Sequence, residues 1–266
     1  MPVLPFILSI PHCGMDIPAP LRPDLALDHG QILESMDFGT REIFGDMPAV
    51  ATIRARWSRL VADLNRAPHQ RDAKGVVALT DYQGRRVFRA GCEPAQEEVE
   101  ARVERYHRPY YRQLTQSLDQ SDALLLIDCH SLNGIGPADA PDAGQRRKDV
   151  TLSNNGDSQG RPRPGMGPLT CPPEKLQTIA QCLIRSGFSV SLNAPYKGGY
   201  IINHYAPRLL ATGRGAVQIE MNQDLYMTAD KYEPDAERIA AIRERMLQAL
   251  CAVARSIGAR EESWHR

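Results

Sequence analysis

The sequence has little lysine and no excess charge of either sign. Only five of its 32 basic residues are lysines, and the basic residues are balanced by 32 acidic ones. A chain without a net positive field lacks the main driving force for binding nucleic acid or an anionic membrane surface. We therefore expect neither kind of partner. Because arginine is so common here, a single arginine carries functional information only inside a motif.

Paired cysteines and long apolar runs are also absent. The six cysteines are scattered without a Cys-x-x-Cys pair, which excludes a zinc ribbon and favours reduced thiols in a cytosol. The apolar stretch near the N-terminus, MPVLPFILSIPHCG, is too short to span a bilayer, lacks a basic leading segment and is interrupted by Pro5 and Pro11. These features predict a cytoplasmic protein without a membrane anchor.

Four short apolar runs stop abruptly at polar residues, a pattern typical of buried strands. These runs are Phe6–Ile10, Leu60–Leu64, Leu124–Ile127 and Ala216–Ile219. Helical patterns lie between and after them, at Glu97–Ser117, Pro173–Arg185 and Pro234–Ile257, the last ended by Gly258. The alternation predicts an α/β fold with a largely parallel sheet, and 266 residues with 42% apolar content suit one domain over 1–266.

Two segments interrupt this regular pattern. Pro109 lies inside the first helical stretch, so we expect a kink or break near Tyr106–Pro109. Residues 133–168 are rich in Gly, Pro, Asp and Arg, with one apolar patch at Val150–Leu152. A connection of that length is commonly functional, and it is interpreted as a flap over the site.

Polar side chains at the strand ends are the candidate functional groups, because open α/β sheets bind ligands beyond the carboxyl ends of their strands. His12 follows the first run and His130 the third, so two imidazoles and a carboxylate can form the open three-ligand site of catalytic zinc. Asp37 is a candidate for that carboxylate, and Glu34 and Asp16 compete with it. The residues alone leave open the alternative of two structural histidines and a solvated aspartate.

The segment Val-Ala-Asp-Leu-Asn-Arg delivers Asn65 and Arg66 side by side, an amide and a planar guanidinium suited to bidentate capture of a carboxylate. An ion pair between Arg66 and Asp63 that closes a turn is an equal alternative. Glu220 leaves a buried strand on the same face as Gln218, which is a further candidate substrate-binding residue. A raised pKa of Glu220 there would suit proton transfer. A capping or ion-paired glutamate is the alternative.

A further loop, Asn-Ala-Pro-Tyr-Lys-Gly-Gly, is interpreted as part of the substrate pocket together with the histidine beyond it. Its candidate substrate-binding residues are Asn193, Tyr196 and His204. Proline and paired glycines are equally ordinary turn residues, so the loop has a structural interpretation as well.

Six motifs, taken together and in order, resemble the N-formylglutamate amidohydrolase (deformylase) family over about residues 7–228. They are Ser-Ile-Pro-His-Cys-Gly, Ser-Arg-Leu-Val-Ala-Asp-Leu-Asn-Arg, Arg-Tyr-His-Arg-Pro-Tyr-Tyr, Asp-Cys-His-Ser, Asn-Ala-Pro-Tyr-Lys-Gly-Gly and Gln-Ile-Glu-Met-Asn. The family is similar to zinc carboxypeptidases and aspartoacylases. The resemblance therefore implies a three-layer αβα sandwich with a mostly parallel mixed sheet, and one catalytic zinc ion per chain.

Carried over residue by residue, the resemblance implies zinc ligands, reacting residues and substrate-binding residues. These are His12, Asp37 and His130 for the metal, Glu220 as general base with Arg59 stabilising the oxyanion, and Asn65 and Arg66 for the substrate carboxylate. The sequence departs from the family at Met36-Asp37-Phe38-Gly39, where an Asp-x-Asp-Trp-like run is usual. It also has Arg-Pro-Tyr-Tyr, ending at Tyr111, where the family more commonly has Arg-Pro-Tyr-His.

The reaction implied is zinc-dependent hydrolysis of the amide bond of N-formyl-L-glutamate or a similar N-acyl amino acid, a small-molecule substrate. Such a step belongs to amino-acid catabolism, for example histidine degradation. Two alternatives stay open. One is a zinc amidohydrolase or carboxypeptidase-like enzyme with another N-acyl or peptide-like substrate. The other is a non-catalytic α/β domain that binds a small molecule without metal. The sequence sets no oligomeric state.

Overall fold

Six strands form one mixed sheet in the computed structural model of the chain, which describes residues 3–165, 167–228 and 233–264. The strands are β1 (Leu4–Ile10), β2 (Ala49–Arg54), β3 (Leu125–Leu132), β4 (Val150–Ser153), β5 (Val190–Leu192) and β6 (Gly215–Asn222). Their order across the sheet is β2-β1-β3-β6-β4-β5. All neighbours pair in parallel except β4 and β6, which are antiparallel. The predicted mostly parallel mixed sheet is confirmed.

Seven α-helices lie along the described part of the chain. They are α1 (His29–Glu34), α2 (Thr40–Phe44), α3 (Gln96–Arg102), α4 (Arg108–Asp119), α5 (Pro173–Arg185), α6 (Tyr200–Leu210) and α7 (Ala236–Trp264). α7 packs on α2, α5 and β1, whereas α4 packs on β1 and β2, and α6 on β3 and β6. The helices cover both faces of the sheet, which makes the predicted three-layer αβα sandwich. Within the described ranges, no helix has the length and apolarity needed to cross a membrane.

The centre of the sheet is the most buried part of the molecule. Every residue of β3 and of β6 is buried, and β1 is buried except at Pro5. The strand predictions at Phe6–Ile10, Leu124–Ile127 and Ala216–Ile219 are confirmed. The polar residues that follow or end these strands therefore stand at the buried centre of the sheet.

The strand predicted at Leu60–Leu64 is wrong, because this run forms turns. Leu60 and Val61 are buried in a separate apolar cluster, with Val76 and Val87 among its members. The Asp63 backbone N–H donates to the Val76 carbonyl at 2.7 Å, so the run is buried by a neighbouring loop rather than by a strand. An apolar run alone does not distinguish the two cases.

The break predicted near Pro109 is a turn of π-helix, Val103–His107, between α3 and α4. The Arg108 backbone N–H donates to the Val103 carbonyl, five residues earlier. Proline has no backbone N–H and crowds the preceding turn, so a wider turn just before Pro109 avoids both defects. At the C-terminal end, the predicted stop at Gly258 is wrong, because α7 continues to Trp264.

The segment predicted as a flap, residues 133–168, is not one continuous loop. Its apolar patch forms β4, which is entirely buried and lies between β6 and β5. The part before β4 is irregular and reaches the functional cavity described below, with Pro137, Asp139 and Arg147 among its lining residues. Among the described residues of this segment, those before β4 therefore have the position expected of a flap.

Candidate metal centre and active-site cavity

Three buried side chains converge at the carboxyl ends of β1 and β3. His12 lies two residues after β1, His130 lies within β3, and Asp37 lies between α1 and α2. Their possible ligand atoms all lie within 4.8 Å of one another. Asp37 Oδ2 is 2.9 Å from His130 Nδ1 and 3.4 Å from His12 Nδ1. The structure thus brings together the three residues predicted to bind zinc.

The two carboxylates that competed with Asp37 in the sequence are paired elsewhere. Glu34 forms an ion pair with Arg85 at 2.7 Å. Asp16 forms one with Arg56 at 3.1 Å, and both of those side chains are mostly exposed. Asp37, by contrast, is 7% exposed and held between the two imidazoles.

Each imidazole is oriented by a second carboxylate. His12 Nε2 is 2.7 Å from Asp63 Oδ1, and His130 Nε2 is 2.8 Å from Asp128 Oδ2. Carboxylates of this kind accept the Nε2–H, so the Nδ1 lone pair is left to face a metal. Asp63 and Asp128 were not predicted as site residues.

A divalent cation fits this arrangement. Among the described residues, His12 Nδ1 is one of the few buried side-chain nitrogens or oxygens with no hydrogen-bond partner. Leaving such an atom unpaired costs about 1–3 kcal/mol, and a cation at this point would satisfy it. Two imidazoles and one carboxylate are a usual donor set of catalytic zinc. The group His12, Asp37 and His130 is therefore a candidate metal centre.

Strong electrostatic coupling accompanies this geometry. Burial raises the pKa of Asp37, but the charge of nearby His12 and the hydrogen bond from His130 outweigh it, so the net shift is downward. Burial lowers the pKa of His130, but Asp128 and Asp37 outweigh it, and the net shift is upward. The site therefore concentrates negative charge that binds either a proton or a metal cation.

Glu220 faces the same site from the adjacent strand. It lies opposite His130 in the register of β3 and β6, and it is 7% exposed. Burial raises its pKa to about 8, with Asp37 and Asp128 adding to the shift and His130 opposing it. Gln218 Nε2 donates to Glu220 Oε1 at 2.7 Å. The structure thus holds one carboxyl group poised for proton transfer beside the candidate metal ligands.

Arg59 contacts two carboxylates of the site, those of Asp63 and Asp37. Its Nε and Nη2 donate to Asp63 Oδ2 at 3.2 and 2.7 Å, and its Nη1 lies 3.6 Å from Asp37 Oδ1. Asp63 therefore links Arg59 to His12. The ion pair between Asp63 and Arg66 considered in the sequence does not form, because the Arg66 guanidinium donates to the carbonyls of Lys74 and Asn65 instead.

These groups open into a cavity of about 360 Å³, within the size range of small-molecule sites. Its lining includes most of the predicted site residues: His12, Asp37, Arg59, Asn65, Arg66, His130, Tyr196, Gln218 and Glu220. Lys74 and Arg147 add two further basic side chains. The basic side chains of this lining suit a small anionic molecule.

A family model described as N-formylglutamate amidohydrolase matches residues 4–227. The chain belongs to this family. Two relatives called N-formylglutamate deformylase, from Pseudomonas putida and Pseudomonas aeruginosa, are 29% and 27% identical to it, each over 94% of this chain and 93% of its own.

Two solved structures share the fold of this N-formylglutamate amidohydrolase family member. An N-formylglutamate amidohydrolase from Ralstonia eutropha matches with a TM-score of 0.77 and 20% identity, covering 97% of this chain and 95% of its own. A gene product of Agrobacterium tumefaciens matches with a TM-score of 0.68 and 17% identity, over 95% and 91%. The architecture is therefore that of the family along nearly the whole chain.

Two predicted substrate-binding residues lie away from the cavity of this family member. Asn193, at a φ of 55°, is buried in a turn, where its amide hydrogen-bonds Asn154 and the Asp157 carbonyl. His204 is on α6, with its ring against Tyr205 and other aromatic rings. Neither belongs to the cavity lining in the described part of the chain, so the structure does not support a substrate contact for them.

Arg147 was missed by the sequence analysis, although it lines the cavity. Its Nε and Nη2 donate to the two carboxylate oxygens of Asp142, each at 2.7 Å, and its Nη2 lies 3.4 Å from the Tyr196 hydroxyl. Its guanidinium also lies over the Tyr196 ring, 5.4 Å from the centroid. Arg147 thus holds Tyr196 at the cavity, a role that one arginine in an arginine-rich chain does not reveal by sequence.

Proposed function

We propose that this chain hydrolyses the formyl amide of N-formyl-L-glutamate with one zinc ion held by His12, Asp37 and His130. The observation that carries the proposal is the convergence of these three buried side chains beside Glu220 in a small polar cavity. Membership of the N-formylglutamate amidohydrolase family and the two relatives called N-formylglutamate deformylase support the choice of substrate.

When bound, zinc supplies Lewis-acid chemistry: it polarises a carbonyl and makes water more acidic. The residues of the chain provide the ligands and fix their orientation. Asp63 and Asp128 keep the two imidazoles in the tautomer that directs Nδ1 into the site. The buried position of all three ligands keeps competing water away from them.

Glu220 is proposed as the general base. Gln218 donates to its Oε1, so we assign the transferred proton to Oε2. The charge of a bound cation would favour the ionised form of Glu220. In that form Glu220 accepts a proton from the attacking water and then passes it to the amine nitrogen as the C–N bond breaks. Water is thereby added across the amide, and formate and L-glutamate are released.

Arg66 is proposed to bind a substrate carboxylate. The predicted partner, Asn65, uses its amide within the protein: its Oδ1 accepts from the Ile201 N–H at 2.9 Å and its Nδ2 lies 3.1 Å from His130 Nε2. Arg66 lines the cavity and uses Nε and Nη1 for backbone carbonyls, so we assign its Nη2 to the carboxylate. The Nη1 of Arg59, beside Asp37, is proposed to stabilise the negative charge that develops on the formyl oxygen.

Formate release from N-formyl-L-glutamate by the purified chain tests this proposal. We expect turnover with zinc, loss after chelation and recovery when zinc is restored. His12→Ala should lose bound zinc and activity, whereas His69→Ala, at an exposed histidine, should keep both. Zinc binding without turnover of N-formyl-, N-acetyl- or peptidyl-glutamate would instead favour a binding protein.

Three expectations from the sequence stay predictions: a single domain over the whole chain, a cytoplasmic location and a place in histidine degradation. The second enzyme alternative, another N-acyl substrate, shares every residue assigned above. Comparing formyl-, acetyl- and peptidyl-glutamate in the same assay separates the two, because a site built for formyl amides should lose activity as the acyl group grows.

A further inference from the structure

The backbone of residues 64–66 is held by two side chains from the motif Arg-Tyr-His-Arg-Pro-Tyr-Tyr. The Tyr111 hydroxyl donates to the Leu64 carbonyl at 2.7 Å. His107 Nε2 donates to the Arg66 carbonyl at 3.0 Å. The carbonyl between them, that of Asn65, accepts from the Arg66 guanidinium at 3.0 Å. Each of three successive carbonyls therefore has a side-chain partner.

The two donors form a rigid unit. The rings of His107 and Tyr111 are stacked with centroids 4.5 Å apart and planes 8° apart. His107 is 2% exposed and is the last residue of the π-helical turn, and Tyr111 follows one helical turn later on α4. π-Helical turns are rare and occur frequently at functional sites. Burial lowers the pKa of His107, which favours the neutral ring with one N–H donor.

We propose that His107 and Tyr111 are positioning residues that fix the Leu64–Arg66 segment so that Asn65 and Arg66 face the cavity. The catalytic consequence rests on the function proposed above, in which Arg66 binds a substrate carboxylate. The positioning itself does not depend on that function, because it concerns only how the backbone of residues 64–66 is held.

The geometry of Asn65 shows why the position of this segment matters. Its Oδ1 accepts from the Ile201 N–H at the N-terminus of α6, and its Nδ2 lies against the ring of His130. A shift of the backbone at Leu64 or Arg66 would therefore move a group that touches a candidate metal ligand and a group that lines the cavity. No other described residue donates a side-chain hydrogen bond to the Leu64 carbonyl.

Two substitutions remove one donor each. Tyr111→Phe deletes only the hydroxyl, and His107→Phe deletes the N–H while keeping an aromatic ring on Tyr111. His107→Gln is the conservative rescue, because its amide can donate from a similar position. Tyr205→Phe is the matched control: the Tyr205 hydroxyl is also buried and donates to the Tyr111 carbonyl at 3.0 Å, but it does not bond to residues 64–66.

Kinetics with N-formyl-L-glutamate give the first readout. We expect Tyr111→Phe and His107→Phe to raise KM about threefold to tenfold, with a smaller change in kcat, because a neutral hydrogen bond is worth about one power of ten at most. His107→Gln should recover most of this loss, and Tyr205→Phe should leave KM unchanged. A fall in kcat alone, or equal effects in the control, would overturn the positioning role.

Hydrogen exchange of the amides in residues 60–70 gives a readout that needs no substrate. The segment should exchange about threefold to tenfold faster in Tyr111→Phe and His107→Phe than in Tyr205→Phe. Unchanged exchange in both variants would refute the inference even if the protein is an active deformylase. If the wild-type protein shows no turnover but the exchange difference appears, the proposed function fails and the positioning stands.

Discussion

Replacing Asp128 by asparagine should weaken zinc binding without unfolding the protein. Asp128 is fully buried, accepts from His130 Nε2 at 2.8 Å and from the Ser9 hydroxyl at 2.7 Å. Asparagine has the same shape and keeps one acceptor oxygen, but it removes the negative charge that makes the imidazole a stronger ligand. Loss of such a carboxylate typically lowers metal affinity about 10-fold to 100-fold, or about 1.4–2.8 kcal/mol.

The measurement is competition for zinc with a chromophoric chelator, at fixed pH and salt, for wild-type and Asp128→Asn protein. Activity should return in the variant when zinc is raised by the same factor as the dissociation constant. Asp119→Asn is the control, because Asp119 forms a mostly exposed ion pair with Arg208 far along α4, and such pairs contribute little. An unchanged zinc dissociation constant in folded Asp128→Asn would refute the argument that this carboxylate tunes the ligand.

Three further results are expected. Glu220→Gln should lower kcat at least about 100-fold, because it removes the proton acceptor, while elemental analysis still finds zinc bound. Arg66→Gln should raise KM about 10-fold to 100-fold through loss of a charged hydrogen bond, and exposed Arg71→Gln should not; equal KM values would contradict the assignment. In the presence of a chelator, the melting temperature should fall as the pH rises from about 6 to about 9. Glu220 and His130 both have raised pKa values in the folded protein, so the folded state is stabilised by protons that are lost as the pH rises. Calorimetry showing a rise over that range would contradict the raised pKa values of Glu220 and His130 in the metal-free site.

The convergence of His12 and His130 was predictable from sequence because parallel strands end at one edge of a sheet. Both residues follow or end strong apolar runs, and those runs proved to be neighbouring strands. Asp37 was different, since it lies between two short helices and its neighbourhood is polar. Only the family resemblance selected it over Glu34 and Asp16.

The partners of the imidazoles were missed for two different reasons. Asp128 stands two residues before His130, and in a strand this spacing places both side chains on one face. That signal was present in the motif Asp-Cys-His. Asp63, in contrast, is 51 residues from His12 and belongs to a run that was wrongly predicted as a strand. No local pattern sets a contact of that range, because it depends on how two loops pack.

The missed strands also have a physical explanation. β2 lies at the edge of the sheet with Ile53 as its one buried residue, and β5 has only three residues, so neither forms a long apolar run. β4 was hidden within a segment whose composition is that of a loop. Where the fold depended on long buried runs it was predictable, and where it depended on short or edge strands it was not.

The reversed direction of β4 has a consequence for how this family can evolve. Because β4 runs against β3 and β6, the chain that leaves β3 needs no crossover helix and stays at the edge where the ligand enters. Residues added to or deleted from that connection would change the shape of the entrance without altering the register of any central strand. Changes in this one loop would therefore alter which molecules can enter, while the candidate metal centre at the ends of β1 and β3 keeps its geometry.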